Sequence, residues 1–458
     1  MKQNFQKVYF IGIGGAGMSN LAFLTRDLGY FVFGSDIMNS DIIKKLRRKS
    51  IKVFIGHKKE NIESIKPDIV VYSSAIKNNS ELEWAKKNKI KIQHRFEFLS
   101  QLIKYAKTIG ISGTHGKTTT TSMIGFLLQK AGIPVYVYLG GENKCLKNTK
   151  ITSKSTFVVE TDESDKSFLF FDPEIAIITN IDKDHLSNYH YNFNELKNAF
   201  RDFIKGKGQR RLTVLCADDK NLMKIYESLK NKNNFLTYGL TNKKATLRAQ
   251  NISFSKKGIK ADLFLKNKKL GHFQFNFLGE KILLDALGAI LIAHQFGISI
   301  QKSIKYLKYF TLPKRRTEII GEKKEILIID DHADHPTEVK TTLKSLKVLK
   351  RRIIAIYEPH RYTRMKMLGE KVGQAFDDAD VIISLDICPA FEKPIKGITG
   401  KKVNQWIKKY NPQKKVFYIE KLDEVPKFLR KIVQPNDLII TLGPGTIKGL
   451  ARKIYQSL

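Results

Sequence analysis

The sequence predicts an α/β protein of three domains, and three observations lead there. Short apolar strands alternate with helix-patterned segments along the chain, the pattern of parallel sheets covered on both faces. Two strands run into glycine-rich turns that open helices, at residues 12–17 and 113–119. Beyond residue 313, further strands end in clusters of acids, imidazoles and arginines. The expected boundaries are 1–105 for a Rossmann-like domain, 106–312 for a central P-loop domain with a parallel sheet and a small β extension, and 313–458 for a second Rossmann-like domain.

The first domain opens on a strand at 8–11, the glycine turn and a helix over 18–28. Strands at 30–33 and 69–72 follow, with a polar helix at 41–49 between them. Gly12-Ile13-Gly14-Gly15-Ala16-Gly17 matches G-x-G-x-x-G, and Asp36 follows Gly17 by 19 residues (36 − 17), close to the spacing of a ribose-binding acid. Such a turn needs only backbone amides that approach a pyrophosphate at a helix's positive end. It therefore fits NAD, FAD or any nucleotide diphosphate.

The central domain opens on a strand at 108–111, and its later strands lie at 156–160, 175–179 and 212–216. Residues 231–273 read as β-hairpin material, with turns such as Lys257-Gly258, and an apolar helix over 282–296 closes the domain. Gly113-Thr114-His115-Gly116-Lys117-Thr118-Thr119 sits between strand and helix; the first glycine of the general P-loop pattern is missing, because position 111 is isoleucine. Lys117 is placed to neutralise β/γ-phosphate charge and the Thr118 hydroxyl to join Mg²⁺, which marks an ATP site. Two acidic clusters, Glu160-Thr161-Asp162-Glu163-Ser164-Asp165 and Asp182-Lys183-Asp184-His185, follow strands and are candidates for metal or phosphate contact. His185 is unusual for a cation that prefers oxygen, so it is either a ligand or an orienting hydrogen-bond donor.

In the third domain strands are expected at 326–329, 353–357, 381–385 and 438–442, with Gly443-Pro444-Gly445-Thr446 before the last helix. Arg315-Arg316 would clamp a phosphate. Asp330-Asp331-His332-Ala333-Asp334-His335-Pro336 and Pro359-His360-Arg361-Tyr362-Thr363-Arg364 each follow a strand. Arg361 and Arg364, three apart, would share one helix face and hold a carboxylate. Groups of this kind at strand C-terminal ends point to a site.

Composition narrows the class. Of 458 residues, 42% are hydrophobic and 27% charged, which excludes wholesale disorder. No apolar run reaches the length of a membrane helix, so no membrane partner is expected, and the N-terminus shows no signal-peptide pattern. Three scattered cysteines, Cys145, Cys216 and Cys388, fit a reducing, cytoplasmic setting. The net charge of +37 would suit a polyanion, but the lysine pairs are spread thinly and no basic block alternates with exposed aromatics. Nucleic acid is not an expected partner; the expected assembly is a monomer or weak homodimer.

The residues at 10–18, 113–121, 162–165, 179–181, 335–338 and 359–364 resemble, in order and across all three domains, the Mur ligases of peptidoglycan synthesis. The first glycine motif and the Pro-His-Arg-Tyr-Thr-Arg run are most similar to the member that joins L-alanine to UDP-N-acetylmuramate. The resemblance implies that the first domain binds this UDP-sugar through Gly12, Gly14, Gly15, Ala16, Gly17, Ser35, Asp36, Ser73 and Ser74. It implies that Gly113, Thr114, His115, Gly116, Lys117, Thr118, Thr119, Arg316 and Asp331 bind ATP, with Asp331 on the ribose. Thr118 and Glu160 would touch one Mg²⁺, and Glu160 with His185 a second. His360, Arg361 and Arg364 would line the amino-acid and acyl-phosphate region. The implied reaction phosphorylates the lactyl carboxylate, and the amine of L-alanine then displaces phosphate from the acyl phosphate.

Three stretches depart from the family pattern. Asp331-His332-Ala333-Asp334-His335-Pro336 stands for Asp-Tyr-Gly-His-His-Pro, and the carboxylate of Asp334 would either repel the amino acid's carboxylate or attract its ammonium. Gly279-Glu280-Lys281-Ile282-Leu283-Leu284-Asp285 lacks both asparagines of Gly-x-His-Asn-x-x-Asn near the adenine, and Glu142-Asn143-Lys144 is more polar than the family segment. The competing functions are a ligase for a preformed peptide or another amino acid, a weakened UDP-muramate-binding relative, a dehydrogenase and a nucleic-acid-binding ATPase.

Overall fold

The computed structural model describes residues 6–140, 146, 150–208, 210–255, 257–390 and 392–458. Among them the strand series builds three sheets, and most candidate residues stand at or just after the C-terminal ends of their strands, whereas Arg316 precedes the strand Glu318–Lys323. Glu142-Asn143-Lys144 and Cys145 lie outside the described residues.

In the first domain β1 (Lys7–Ile11), β2 (Phe31–Asp36), β3 (Lys52–Ile55), β4 (Ile69–Tyr72) and β5 (Lys91–His94) form an all-parallel sheet in the order β3-β2-β1-β4-β5. Val8 to Ile11 are buried on both faces, as a central parallel strand requires. The order reverses direction between β1 and β4, so a crevice opens where the glycine turn after β1 meets Ser73-Ser74 after β4. Helix Ala16–Asp27 turns Met18, Leu21, Ala22 and Leu24 into the core.

The central sheet runs β14-β13-β12-β11-β10-β9-β6-β8-β7. Its strands are β6 (Lys107–Ser112), β7 (Val135–Tyr138), β8 (Thr156–Glu160), β9 (Ile175–Ile178), β10 (Leu212–Cys216), β11 (Phe235–Gly239), β12 (Leu247–Ser255), β13 (Gly258–Leu265) and β14 (Lys268–Phe275). From β7 to β11 the neighbours are parallel, and β6 lies between β8 and β9. The apolar helix spans Glu280–His294, and one more helix, Ile300–Leu307, follows it before the third domain.

The third sheet has the order β15-β16-β20-β17-β18-β19, from β15 (Glu318–Lys323), β16 (Ile326–Asp331), β17 (Arg352–Tyr357), β18 (Val381–Ser384), β19 (Lys415–Tyr418) and β20 (Asp437–Leu442). All its pairs are parallel except β15 with β16. Here β16 and β17 flank β20, so the loops after these three strands converge.

Internal contacts divide the chain into two compact units. One comprises Met1–Gln250, Leu263–Gly271 and Leu284–Phe310; the other comprises Asn251–Asp262, His272–Leu283 and Thr311–Leu458. Within the first unit one hydrophobic cluster joins Val8, Phe10 and Leu21 of the first domain to Tyr136, Phe157 and Val159 of the central sheet. Among the described residues no helix is long and apolar enough to cross a membrane.

Candidate active site

The turn after β6 is built by its neighbours. A Cβ on Gly113, at φ 134°, would stand 2.0 Å from the Thr179 hydroxyl, so only glycine fits. Thr179 and Asn180, just after β9, donate to the His115 carbonyl at 2.6 and 2.9 Å, and the Asn180 side chain accepts from the His115 amide at 2.9 Å. The Thr114 hydroxyl accepts from the Asp182 amide, and His115 Nε2 lies 3.1 Å from Asp182 Oδ2. Gly116 is left-handed, and helix Lys117–Lys130 starts behind it with Thr119 buried in its first turn.

Lys117 is held at this helix start. Its ammonium donates to the Gly113 and Thr114 carbonyls at 2.6 and 3.1 Å and pairs with Glu163 at 2.8 Å. Burial opposes the lysine's charge, yet Glu163 more than compensates and raises its pKa. Glu163 is 1% exposed, and burial pushes its carboxyl up to about 7 against the pull of Lys117. Beside it the Thr118 hydroxyl donates to Glu160 Oε1 at 2.7 Å, while Glu160 Oε2 accepts from the Gly140 amide. A hydroxyl and a carboxylate side by side are oxygen donors of the kind Mg²⁺ takes. His185 sits left-handed on the loop after β9, its Nε2 3.6 Å from Asp184. Asp285 reaches the same turn: a Cβ on Gly116 would lie 2.5 Å from its Oδ1.

In the first domain the Gly12 and Ile13 amides donate to the Ser35 carbonyl, and the Gly14 amide donates to Asp36 Oδ2 at 2.8 Å. Gly15 and Ala16 are exposed at the start of their helix. The Ser35 side chain is fully buried and donates to Glu81 Oε2 at 2.5 Å, so its part in the turn is played by its carbonyl. Tyr9 and Asn61 also donate to Glu81, and His57 Nδ1 lies 3.2 Å from it. Burial works against that carboxylate, but these bonds keep it below the ordinary range. The Ser73 carbonyl accepts from Ile76, while the Ser74 hydroxyl donates to Asp165 and lies 3.1 Å from His94 Nε2.

Arg95 was not legible in the sequence as a site residue. It follows β5 and joins the glycine turn to the acids after β8: Nη2 donates to Asp162 at 2.7 Å, while a Cβ on Gly17 would meet Nη1 at 2.5 Å. Tyr138 donates to the Gly17 carbonyl at 3.0 Å. The signal was the strand Lys91–His94, too short and polar to stand out.

The third domain corrects two expectations. Arg315 is not a phosphate clamp: its guanidinium is held by Asp330 at 3.0 Å and by the Gly443 and Pro444 carbonyls, inside the fold. Arg316 is the half-buried one, 3.9 Å from Glu338. Nor do Arg361 and Arg364 share a helix face. Arg361 precedes helix Tyr362–Leu368 at φ 65° and is exposed, whereas Arg364 lies within the helix, 2.8 Å from Asp334. Asp331 is buried, accepting from the Thr317 amide and hydroxyl and from the Ala333 amide, which shapes the loop after β16. Burial, then Arg316 and Arg315, push the His332 imidazole down to about 3, so it is neutral. His360 Nδ1 lies 3.8 Å from Asp334 Oδ2.

Family models match the chain in sequence order: "Mur ligase family, catalytic domain" over 7–107, "Mur ligase middle domain" over 111–293, and "Mur ligase, glutamate ligase domain" over 315–445. The chain is 37% identical to UDP-N-acetylmuramate–L-alanine ligase of Dictyoglomus turgidum, over 97% of this chain and 95% of the relative. It is 38% identical to the same enzyme of Geotalea uraniireducens, over 100% and 99%. Among solved structures, UDP-N-acetylmuramate-alanine ligase MurC of Thermotoga maritima superposes with a TM-score of 0.82 at 26% identity, covering 98% of each chain.

Proposed function

The chain belongs to the Mur ligase family, and from that membership we propose how its residues divide the work of an ATP-dependent ligase that joins L-alanine to the lactyl carboxylate of UDP-N-acetylmuramate in peptidoglycan precursor synthesis. The observation that carries the reading is the meeting of Lys117, Thr118 and Glu160 at the C-terminal ends of the adjacent strands β6 and β8. A carboxylate and ATP repel each other, and a lysine at a helix start offsets that repulsion as the γ-phosphoryl group moves to the carboxylate oxygen. The amine nitrogen of L-alanine then bonds to the acyl carbon, loses a proton, and phosphate departs with the C–O bond pair.

Thr118 and Glu160 would hold Mg²⁺, which when bound neutralises phosphate charge; His185 with Glu160 is the proposed second position. Arg316 adds a cation to the ATP site, and His360, Arg361 and Arg364 receive the amino acid and the acyl phosphate. Gly12 to Gly17, rigidified through Ser35 and Asp36, take the diphosphate of the UDP-sugar. Water exclusion protects the acyl phosphate from hydrolysis. The cytoplasm is the proposed compartment, and a monomer or weak homodimer the proposed assembly.

Phosphate release from ATP tests the reading, with the coupled product checked by mass. Release should need both UDP-N-acetylmuramate and L-alanine, with a mass gain of one alanyl unit. Coupling of a peptide but no single amino acid would move the assignment to a peptide-adding ligase. A narrower expectation concerns His185: His185→Ala should lower the rate and raise the Mg²⁺ concentration needed for half-maximal turnover. Unchanged Mg²⁺ dependence would make it a structural histidine.

A further inference from the structure

The glycine turn at 12–17 borrows its geometry from the end of β2. The Gly12 and Ile13 amides donate to the Ser35 carbonyl at 2.9 and 3.0 Å, and the Gly14 amide donates to Asp36 Oδ2 at 2.8 Å. Four glycines in six residues give the turn little stiffness of its own. The exposed start of the helix at Gly15 and Ala16 therefore stands wherever residues 35 and 36 stand. One buried carboxylate holds those two residues. Glu81 is fully buried in the first turn of helix Ser80–Lys87, whose positive end favours its charge. Its Oε1 accepts from the Tyr9 hydroxyl of β1 at 2.8 Å and from Asn61 at 3.1 Å. Its Oε2 accepts from the Ser35 hydroxyl at 2.5 Å and lies 3.2 Å from His57 Nδ1. Asn61 also donates to the Gly56 carbonyl at 2.8 Å, and the Gly56 amide donates to the Asp36 carbonyl at 2.8 Å. Glu81 thus reaches Ser35 directly and Asp36 through Asn61 and Gly56.

We infer that Glu81 is a positioning residue for the UDP-sugar: it fixes the end of β2, and through it the glycine turn that takes the diphosphate. This rests on reading residues 12–17 as the diphosphate site. Glu81 touches no ligand itself, because it has no exposed surface. The role requires a carboxylate. Both of its oxygens accept, whereas an amide of the same shape would turn an NH₂ group toward two of the four neighbours. Either way round, that NH₂ faces the Ser35 hydroxyl and His57, or the Tyr9 hydroxyl and Asn61. The strand end then shifts to find other partners, and the glycine turn follows it.

Glu81→Gln tests it in the full-length protein. Calorimetric titration with UDP-N-acetylmuramate, without ATP, should show a Kd raised about tenfold, the scale of one lost hydrogen bond. In turnover the KM for the UDP-sugar should rise by the same factor, with kcat and the KM for ATP near wild type. A lowered melting temperature with an unchanged Kd, measured where the variant is folded, would overturn the inference and leave Glu81 a stability residue only. Ser35→Ala cuts the same link from its other end, and its buried hydroxyl makes no ligand contact to confuse the result. It should weaken UDP-sugar binding in the same sense. The double variant should lose about as much as Glu81→Gln alone, because the two residues act in one chain. Losses that multiply in the double variant would overturn the inference, since the residues would then act independently. If Glu81→Gln does not fold, Ser35→Ala decides: a wild-type Kd there overturns it. Failure of the ligase reading is separate, because the wild-type protein itself would then bind no UDP-N-acetylmuramate.

Discussion

Replacing Lys117 by alanine should reduce turnover by at least about 10³-fold, the scale on which a charge aimed at a developing anion acts, while UDP-N-acetylmuramate still binds. The sugar's proposed contacts lie at the ends of β1, β2 and β4, and none of them depends on Lys117. The same substitution strands Glu163, which is 1% exposed and whose main cation is Lys117. Its carboxyl already sits near 7 because of burial, and without the lysine it is pushed higher still. A carboxyl raised in the folded state binds more protons there than in the unfolded chain, so its contribution falls as pH rises. The variant should therefore approach wild-type stability near pH 6 and lose ground progressively toward pH 9. Phosphate release, sugar binding by calorimetry and melting at three pH values check these points. Wild-type turnover would remove the 113–118 turn from the mechanism, and a pH-independent stability difference would remove Glu163 as the stranded group.

That the candidate turn at 113–119 is legible follows from its chemistry: a glycine at φ 134° pressed against Thr179, a lysine and a threonine at one helix start leave few alternatives. The partners were less visible, because they come from other strands. Glu160 meets Thr118 only because β8 lies beside β6, and Asn180 meets His115 only because β9 lies on the other side. The Arg364–Asp334 pair links residues 30 apart through the neighbouring loops after β16 and β17 (364 − 334).

The fold shows the same division. The strands the sequence reveals, such as β1, β6, β16 and β20, are apolar interior strands buried on both faces. Those it hides are edges. β3 and β5 border the first sheet, β15 and β19 the third, and β7 one side of the central sheet. Four of these carry lysine at an end, as edge strands do to discourage pairing with another chain, and so lack an apolar run. β7 is apolar but only four residues long.

Adjacent arginines in the third domain separate stability from chemistry, and their identical side chains make the comparison clean. Arg315→Ala should destabilise the third-domain unit by about 3–5 kcal/mol, the usual cost of stranding one member of a buried charge pair. Asp330 is 5% exposed, and with the guanidinium gone it keeps the Thr441 hydroxyl as a partner but no cation at 3.0 Å. The Gly443 and Pro444 carbonyls lose their donor at the same time, which loosens the turn after β20 against β16. A loss of that size should lower the melting of this unit by on the order of 10 °C. Arg316→Ala should do the opposite. Its contact with Glu338 is long, 3.9 Å, and such a pair is worth about 0–1 kcal/mol. Melting should then stay near wild type while ATP turnover falls and the KM for ATP rises. Calorimetric scans and steady-state kinetics on both variants decide it. If Arg315→Ala melts like the wild type and loses only activity, its guanidinium is spent on substrate after all, and the sequence reading of a two-arginine phosphate clamp would stand.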